Sequence, residues 1–306
     1  MVSRRAAQLL LVAVAALLAA LAAGLALLFG VGSGSGSAVQ TTGLTVGVAN
    51  APPPPRDAVL LGAESGSRAV ALAVGGGRLT ATVLSPSGGP LPGLKVAFGA
   101  GGRTIPARPC GPGCYSAPGP RFGRVDVRLS GSRPVVFHVP ARPRHGAAIV
   151  ARAARVTRAL KSLVYVESLR SGPKGGLLTT WMLQAPDEVE YRIRDGASAV
   201  VLGERRWDRD GPGKPWRRSQ QLPALRVPQP AWGSSATNAH VLATQRLNGR
   251  PVWVVSFANP TTPAWFTAWI DRSTYRPLRL HMTAAAHFMT HDYVAFNRAL
   301  RIMPPR

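Results

Sequence analysis

The chain has 306 residues, of which 46% are hydrophobic, so it is long and apolar enough for about two folded domains. Its 33 glycines and 28 prolines favour short strands and turns over long helices. The formal net charge of +24 comes mainly from scattered arginines, as a GC-rich genome would impose. The sequence shows no long basic run and no nucleic-acid-binding module, which argues against nucleic acid as a partner and leaves an anionic membrane surface as the better match.

The first 31 residues have the pattern of a membrane anchor. Arg4 and Arg5 precede an uncharged apolar run from Leu9 to Val31, long enough to cross a bilayer as a helix. By the positive-inside rule the N-terminus stays in the cytoplasm. We therefore expect a signal anchor over 1–31, a single-pass protein of the cell membrane and an extracytoplasmic remainder. Cleavage near Ala38 as a signal peptide is the open alternative.

Residues 32–57 contain GSGSGS and PPPP and are predicted to be a linker. Residues 58–141 then consist of short apolar or alternating runs between turns, such as RLTATVLS, which predicts an Ig-like β-sandwich. This part is similar to FixH/YtkA-like sandwiches, which accompany some copper-resistance membrane proteins. That resemblance implies copper handling as one alternative function.

Two cysteines lie in the predicted sandwich, in the stretch PCGPGCYS. In an exported domain, Cys110 and Cys114 are predicted to form a disulfide that pins a loop. A copper chaperone with a Cys-x3-Cys motif would need a thioredoxin-like setting, which the sequence lacks. A binuclear copper centre would need a His and a Met soon after the second cysteine, and neither follows.

An amphipathic helix is predicted after Pro143. Apolar residues recur at helical spacing through HGAAIVARAARVTRALKSLVYVESL, which predicts about five turns. The predicted stripe is Ile149, Ala153, Val156, Leu160 and Leu163. A long series of strands joined by turns follows, so we expect a half-open antiparallel β-barrel over 147–304, wrapped around this covering helix.

The order of elements in 147–304 resembles that of the LolA/LppX/LprG-type lipid- and lipoprotein-carrier superfamily. The matching features are a proline before a strand rich in Tyr and Arg, a strand ending in a Trp, and a W-I-D-x-x-T hairpin whose turn leads to a P-L-R strand. These are Pro186, Tyr191, Arg192, Val200, Val201, Trp207, Trp269, Ile270, Asp271 and Thr274. The resemblance implies an unclosed barrel with a helical lid and a hydrophobic ligand cavity. The family has no fixed cavity motif to carry over.

The stretch RLHMTAAAHFMTHDY, residues 279–293, raises the question of a metal site, because His and Met are soft-metal ligands. Taken as one strand, it puts Met282 and Phe288 on an apolar face toward the cavity and the histidines on a face toward water or a loop. His287 and His291 would then be about 13 Å apart, too far to share one ion. We expect no metal here, with His287 and His291 as candidate ligands only if the segment turns helical.

All seven tryptophans lie at or beyond Trp181, more than a core of this size needs, and aromatic cavity walls would use the surplus. The candidate cavity residues are Trp181, Trp207, Trp253, Trp265, Phe266, Trp269, Met282 and Phe288. Trp265, Phe266 and Trp269 break strand alternation and predict apolar surface on both faces of one strand. No catalytic motif is present, so we expect neither an enzyme nor a cofactor.

The sequence therefore predicts a membrane-anchored protein that binds a lipid, a lipidated segment or another hydrophobic ligand non-covalently. The alternatives are an envelope sensor with a membrane-protein partner, on the same fold, and a copper-handling envelope protein.

Overall fold

The computed structural model describes residues 51–233, 235–259 and 263–306. The predicted anchor, 1–31, and most of the predicted linker, 32–57, lie outside the described residues. Within the described ranges, no helix is long and apolar enough to span a membrane. The mainly β prediction is confirmed: the described residues form open antiparallel sheets and one α-helix.

The N-terminal unit is a sandwich of two antiparallel sheets. Its strands are β1 (Val59–Ser65), β2 (Arg68–Gly75), β3 (Arg78–Leu84), β4 (Val96–Ala100), β5 (Arg103–Pro106), β6 (Arg108–Gly111), β7 (Cys114–Pro118), β8 (Gly123–Leu129) and β9 (Val135–Val139). One sheet has the order β1-β2-β3-β7-β6 and the other β5-β4-β8-β9. Alternate residues such as Leu79, Ala81 and Val83 point into one core shared by both sheets, as period-2 patterning requires.

Cys110 and Cys114 are joined in a disulfide, as predicted, across the β6–β7 hairpin. The next residue on β7, buried Tyr115, holds a loop against the sandwich by two hydrogen bonds. Its hydroxyl donates to the Leu91 carbonyl at 2.6 Å and accepts from the Leu94 amide at 3.0 Å. These bonds fix the turn-rich connection between β3 and β4.

The C-terminal unit is one open twelve-stranded antiparallel sheet with the order β10-β17-β18-β19-β20-β21-β11-β12-β13-β14-β15-β16. Its strands are β10 (Arg144–His145), β11 (Ser162–Arg170), β12 (Leu177–Gln184), β13 (Glu188–Ile193), β14 (Ser198–Leu202), β15 (Arg205–Arg209), β16 (Arg217–Gln220), β17 (Thr237–Leu247), β18 (Arg250–Asn259), β19 (Ala264–Asp271), β20 (Pro277–Ala284) and β21 (His287–Phe296). We call the face that carries the helix the inner face, and the opposite one the outer face.

The helix, α1, spans Ala147–Arg158 and is shorter than the five turns predicted. The run that begins at Ser162 pairs with β12 and β21, since its β-branched and aromatic residues favour a strand. Leu163 is therefore a strand residue. The buried stripe of α1 is also rotated from the prediction and consists of Val150, Ala153, Ala154 and Thr157.

The stretch 279–293 is a hairpin, so the prediction of a single strand is wrong. The turn lies at Ala285 and Ala286, and Ala286 has φ of 55°. The reversal changes the alternation: Met282 faces inward while Phe288 faces outward. His291 is buried on the inner face and does not point to water.

The hairpin between β19 and β20 is held by Asp271, which is 2% exposed. Its Oδ1 accepts hydrogen bonds from the amides of Ser273 and Thr274, at 2.9 and 2.8 Å. Burial alone would raise the pKa of this carboxyl, but the hydrogen bonds from Ser273 and Thr274 outweigh burial and the pKa is lowered.

The sandwich packs on the outer face of the large sheet. Trp265 and Phe288 join the outward residues of β1 and β2 in one apolar cluster. Gly62 lies so close that a Cβ there would be 2.7 Å from the Cβ of Trp265. An ion pair between Arg170 and Glu64, at 2.6 Å, adds a polar contact between the two units. Both faces of β19 are thus covered, as its apolar pattern predicted.

Candidate ligand-binding cavity

The inner face of the large sheet is apolar along most of its width. Beneath α1, a cluster that includes Phe257, Phe266 and Met282 packs against Val150. Across β11 to β14, a second cluster includes Tyr165, Trp181 and Tyr191. Tyr293 packs against both clusters, so the two form one lining.

A long connection between β16 and β17 closes over this lining. We call residues 221–233 the cover segment. Leu225 and Val227 are buried in the second cluster, and Trp232 in the cluster under α1. The Val227 amide also donates to the Pro186 carbonyl at 2.8 Å. The cover segment and α1 therefore take the place of the missing wall of the open sheet.

A cavity lies where the cover segment, α1 and the inner face meet. Its free volume is about 30 Å³, room for about two water molecules, so the cover segment and α1 fill most of the space. The lining consists of Thr157, Leu163, Tyr165, Leu183, Pro228, Gln229, Pro230, Trp232, His291 and Tyr293. This volume is far below that of small-molecule sites, which run from about 300 to 1,000 Å³. A long ligand would therefore require the cover segment to move.

One wall of the cavity is polar. His291 Nε2 and Glu167 Oε2 are 2.8 Å apart, and their side chains are 2% and 9% exposed. The ring of Tyr165 lies against His291 with centroids 4.6 Å apart. This buried pair comes from β21 and β11, neighbouring strands whose register places the two residues opposite each other.

The tyrosines of the cavity stay neutral at physiological pH. Burial raises the pKa of Tyr165 well above its usual value, and the Glu167 carboxylate adds to the rise. Burial likewise raises the pKa of Tyr293, against a hydrogen bond with Trp232. The hydroxyl of Thr157 donates to the Ala153 carbonyl at 2.9 Å. The tyrosine and threonine hydroxyls of the lining are therefore neutral, and none of them is an activated nucleophile.

The lining ends in a polar group at the far hairpin, β15–β16. Arg206 Nη2 and Asp208 Oδ1 are 2.7 Å apart, and Arg206 Nη1 donates to Gln221 Oε1 at 3.1 Å. The hydrogen bonds to Asp208 raise the pKa of Arg206 despite its burial. Gln221 begins the cover segment, so this group ties the root of the cover to the sheet.

The eight predicted cavity residues divide evenly between the two faces of the sheet. Trp181, Trp253, Phe266 and Met282 are on the inner face, and Trp181 carries a buried indole N–H with no hydrogen-bond partner. The other four are on the outer face: Trp265 and Phe288 under the sandwich, Trp269 against His281, and Trp207 on the far hairpin. None of the eight lines the cavity described above.

Sequence reasoning missed the residues that do line the cavity. The prolines in 223–230 indicate a long connection between strands. Nothing in that stretch indicates that the connection folds back over the sheet. The two candidate metal ligands have different partners. His291 pairs with Glu167, while His287 Nδ1 is 3.1 Å from the Ala285 carbonyl oxygen. Within the described part of the chain, no three His, Cys, Asp or Glu side chains group as a metal site.

No family model and no curated protein matches the chain. Solved structures match about half of the chain. Lipoprotein LppX of Mycobacterium tuberculosis is 14% identical, with a TM-score of 0.41 over 51% of this chain and 97% of that one. LprF of Mycobacterium bovis is 12% identical, with a TM-score of 0.40 over 52% and 96%. A LolA superfamily protein from Nitrosomonas europaea is 11% identical, with a TM-score of 0.26 over 53% and 96%. These structures include members of the superfamily that 147–304 was predicted to resemble.

Proposed function

We propose that the chain binds a long apolar ligand non-covalently, between the inner face of the large sheet and the cover segment. An acyl chain, a lipid or a lipidated segment has this chemistry. The observation that carries the proposal is a continuous apolar face closed by an irregular segment that inserts Leu225, Val227 and Trp232. Such a segment occupies the place that a ligand would take.

The cost of displacing the cover sets the size of the ligand. Returning Leu225 and Val227 to water costs about 3–6 kcal/mol in total, since each buried side chain contributes about 1.5–3 kcal/mol. A buried methylene gains about 0.8 kcal/mol. A ligand must therefore bury about four to eight methylenes before binding becomes favourable, which selects long acyl chains over short ones.

A buried donor on the inner face, beside the cavity, gives such a ligand a preferred orientation once the cover segment is displaced. The unpartnered Trp181 indole N–H lies close to Tyr165, with ring centroids 6.0 Å apart. A buried donor without an acceptor is costly, so an ester or carboxyl oxygen placed there would be favoured. The acyl tail would then extend along the lining beneath α1.

Titration with a fluorescent fatty acid, read by energy transfer from tryptophan, tests the proposal on the full chain. Leu225→Ala removes part of the cover and should tighten binding by about tenfold, because displacement then costs less. Leu222→Ala is the matched control, since Leu222 is on the same segment and is exposed. Leu183→Trp should block the cavity.

A competition series of fatty acids separates this mode from surface adsorption. Chains longer than about eight carbons should displace the probe and shorter ones should not. Organic extraction of the purified protein should release a bound lipid. Equal affinity for all chain lengths, together with no effect of Leu225→Ala or Leu183→Trp, would mean that the inner face is a filled core.

The remaining parts of the proposal concern location and the alternatives. The uncharged run Leu9 to Val31 supports a membrane tether with an extracytoplasmic folded part, and the absence of an activated nucleophile in the described lining supports binding without catalysis. The sensor alternative would use the same cavity and add a membrane-protein partner. The copper alternative draws no support from the geometry, because Cys110 and Cys114 are oxidised and His291 is occupied by Glu167.

A further inference from the structure

The outer face of the far hairpin carries an alternating set of tryptophans and basic residues. On β15, Trp207 lies between two arginines, and the register places Trp207 opposite Arg218 on β16. We call this set the Trp–Arg patch. It consists of Arg205, Trp207, Arg209, Lys214, Trp216 and Arg218.

The arginines and tryptophans of the patch contact each other. The guanidinium of Arg209 lies 4.8 Å from the ring centroid of Trp216, and that of Arg205 lies 5.8 Å from the centroid of Trp207. Both indoles are half-buried, so each holds its ring against the hairpin with part of the ring open to solvent. Such pairs keep the charge and the aromatic surface together on one face.

The positive charge of the patch is not neutralised by the described protein. None of Arg205, Arg209, Lys214 and Arg218 makes an ion pair with a described acidic residue. The neighbouring carboxylate of Asp208 pairs with Arg206, on the inner side. In addition, Arg209 Nε is buried without a hydrogen-bond partner. The patch therefore has positive charge available for an anion, although the buried Arg209 Nε is not itself accessible to one.

The position of the patch leaves it accessible. The sandwich covers the outer face at β17 to β20, whereas β15 and β16 are at the opposite edge of the twelve-stranded sheet. The four residues of β16 are all exposed. Among the described residues, the C-terminal Pro305 and Arg306 border the patch, beside Trp207 and Trp216, and the sandwich does not reach it.

We propose that the Trp–Arg patch docks on the surface of an anionic phospholipid bilayer. Arginines supply the attraction to lipid phosphates, and indoles favour the headgroup level because they combine an apolar ring with an N–H. A nucleic acid fits less well, since one face of each indole is already occupied by a guanidinium and base stacking needs that face. This surface is separate from the cavity and from the expected N-terminal anchor.

Quenching of tryptophan fluorescence by brominated lipids tests the docking, with the full chain reconstituted in vesicles. One set of vesicles is phosphatidylcholine, and the other has a third of its lipid as phosphatidylglycerol. We expect strong quenching only on the anionic vesicles, reduced at high salt. W207F/W216F should lose that quenching, which identifies the rings that reach the bilayer.

Charge variants separate the patch from the overall charge. Each basic residue contributes about fivefold to partitioning on an anionic surface, so R205Q/R209Q/R218Q should weaken docking by about a hundredfold and bring quenching to the neutral level. R103Q/R133Q/R142Q removes the same charge from exposed sites of the sandwich and should dock normally. A urea midpoint close to that of the wild type shows that each variant is folded.

Three outcomes would overturn the proposal. One is equal quenching on neutral and anionic vesicles. Another is a matched loss in R103Q/R133Q/R142Q, which would show that total charge and not the patch drives binding. The third is retention of a soluble polyanion such as heparin or RNA by the patch with no quenching on vesicles.

Discussion

The buried pair of Glu167 and His291 should be strongly coupled in the free energy of unfolding. Glu167→Leu leaves a buried imidazole without its acceptor, and His291→Leu leaves a buried carboxylate without its donor. With side chains 9% and 2% exposed, each single variant should lose about 3–5 kcal/mol. The double variant replaces both groups with apolar side chains and should be within about 1 kcal/mol of the wild type, or more stable than it.

Urea unfolding of the full chain in mild detergent measures these changes. Tryptophan fluorescence follows mainly the C-terminal unit, because all seven tryptophans lie between Trp181 and Trp269, although Trp265 also reports on the contact with the sandwich. For a unit of this size, a loss of 3–5 kcal/mol corresponds to a fall in Tm of about 6–20 °C. The slope with urea should stay constant if the variants change stability and not the surface exposed on unfolding.

An exposed ion pair with almost the same distance provides the control. Arg217 and Asp210 are 2.7 Å apart but 66% and 62% exposed, so breaking that pair should change the free energy by no more than about 1 kcal/mol. Additive single losses for Glu167 and His291, or losses as small as those of the exposed pair, would refute the reasoning. The pair would then be solvated in solution.

Three further predictions concern a turn, a titrating group and the interface between the two units. The pKa of Asp271 is lowered in the folded state, so the stabilisation that its carboxylate gives to the fold is complete above about pH 4 and is lost as pH falls through the folded pKa. Asp271→Asn should therefore lower the free energy of unfolding by about 1–2 kcal/mol at pH 7 and reduce the loss of stability in acid. Partial desolvation, with the charge of neighbouring Arg279, lowers the pKa of His281 although its side chain is exposed, so the wild type should lose a little stability as pH falls below about 6.5, and His281→Gln should remove that loss. Gly62→Ala should loosen the packing on Trp265 and speed proteolysis between the units, whereas Gly89→Ala, whose Cβ would meet only ordinary contacts, should not.

Each of these three has a result that contradicts it. A pH-independent deficit in Asp271→Asn would mean that the carboxylate does not titrate in that range. An NMR titration of His281 with a midpoint at or above the usual value would contradict the lowered pKa. Equal proteolysis of Gly62→Ala and wild type would show that the sandwich is not held against β19.

Alternation of polar and apolar residues predicted most of the sheet, and where it broke it was also informative. On β19 the sequence AWFTAWID is apolar at both parities, and the structure covers both faces, with Phe266 inward and Trp265 under the sandwich. The pattern could not say which of two partners covers which face. That choice depends on packing between segments far apart in the chain, and Trp265 was assigned to a cavity for this reason.

Two features had no local signal. The turn at Ala285–Ala286 lacks the Gly, Asn or Asp that usually marks a two-residue hairpin, so the strand was continued through it and every later residue was given the wrong face. The partner of His291 is Glu167, 124 positions away. Only the pairing of β11 with β21 brings the two together, and Glu167 does not stand out within its own strand.

The root of the cover segment and the Trp–Arg patch lie on opposite faces of the same hairpin. The cover segment begins at Gln221, directly after β16, and Gln221 is hydrogen-bonded to Arg206 on the inner face of β15. A bilayer docked on Trp207 and its neighbours would therefore lie beside the root of the cover segment. An apolar ligand that left the bilayer there would reach the lining by displacing the segment nearest to it. The two proposals remain separable, because R205Q/R209Q/R218Q changes the outer face without touching the lining, and Leu225→Ala changes the cover without touching the patch.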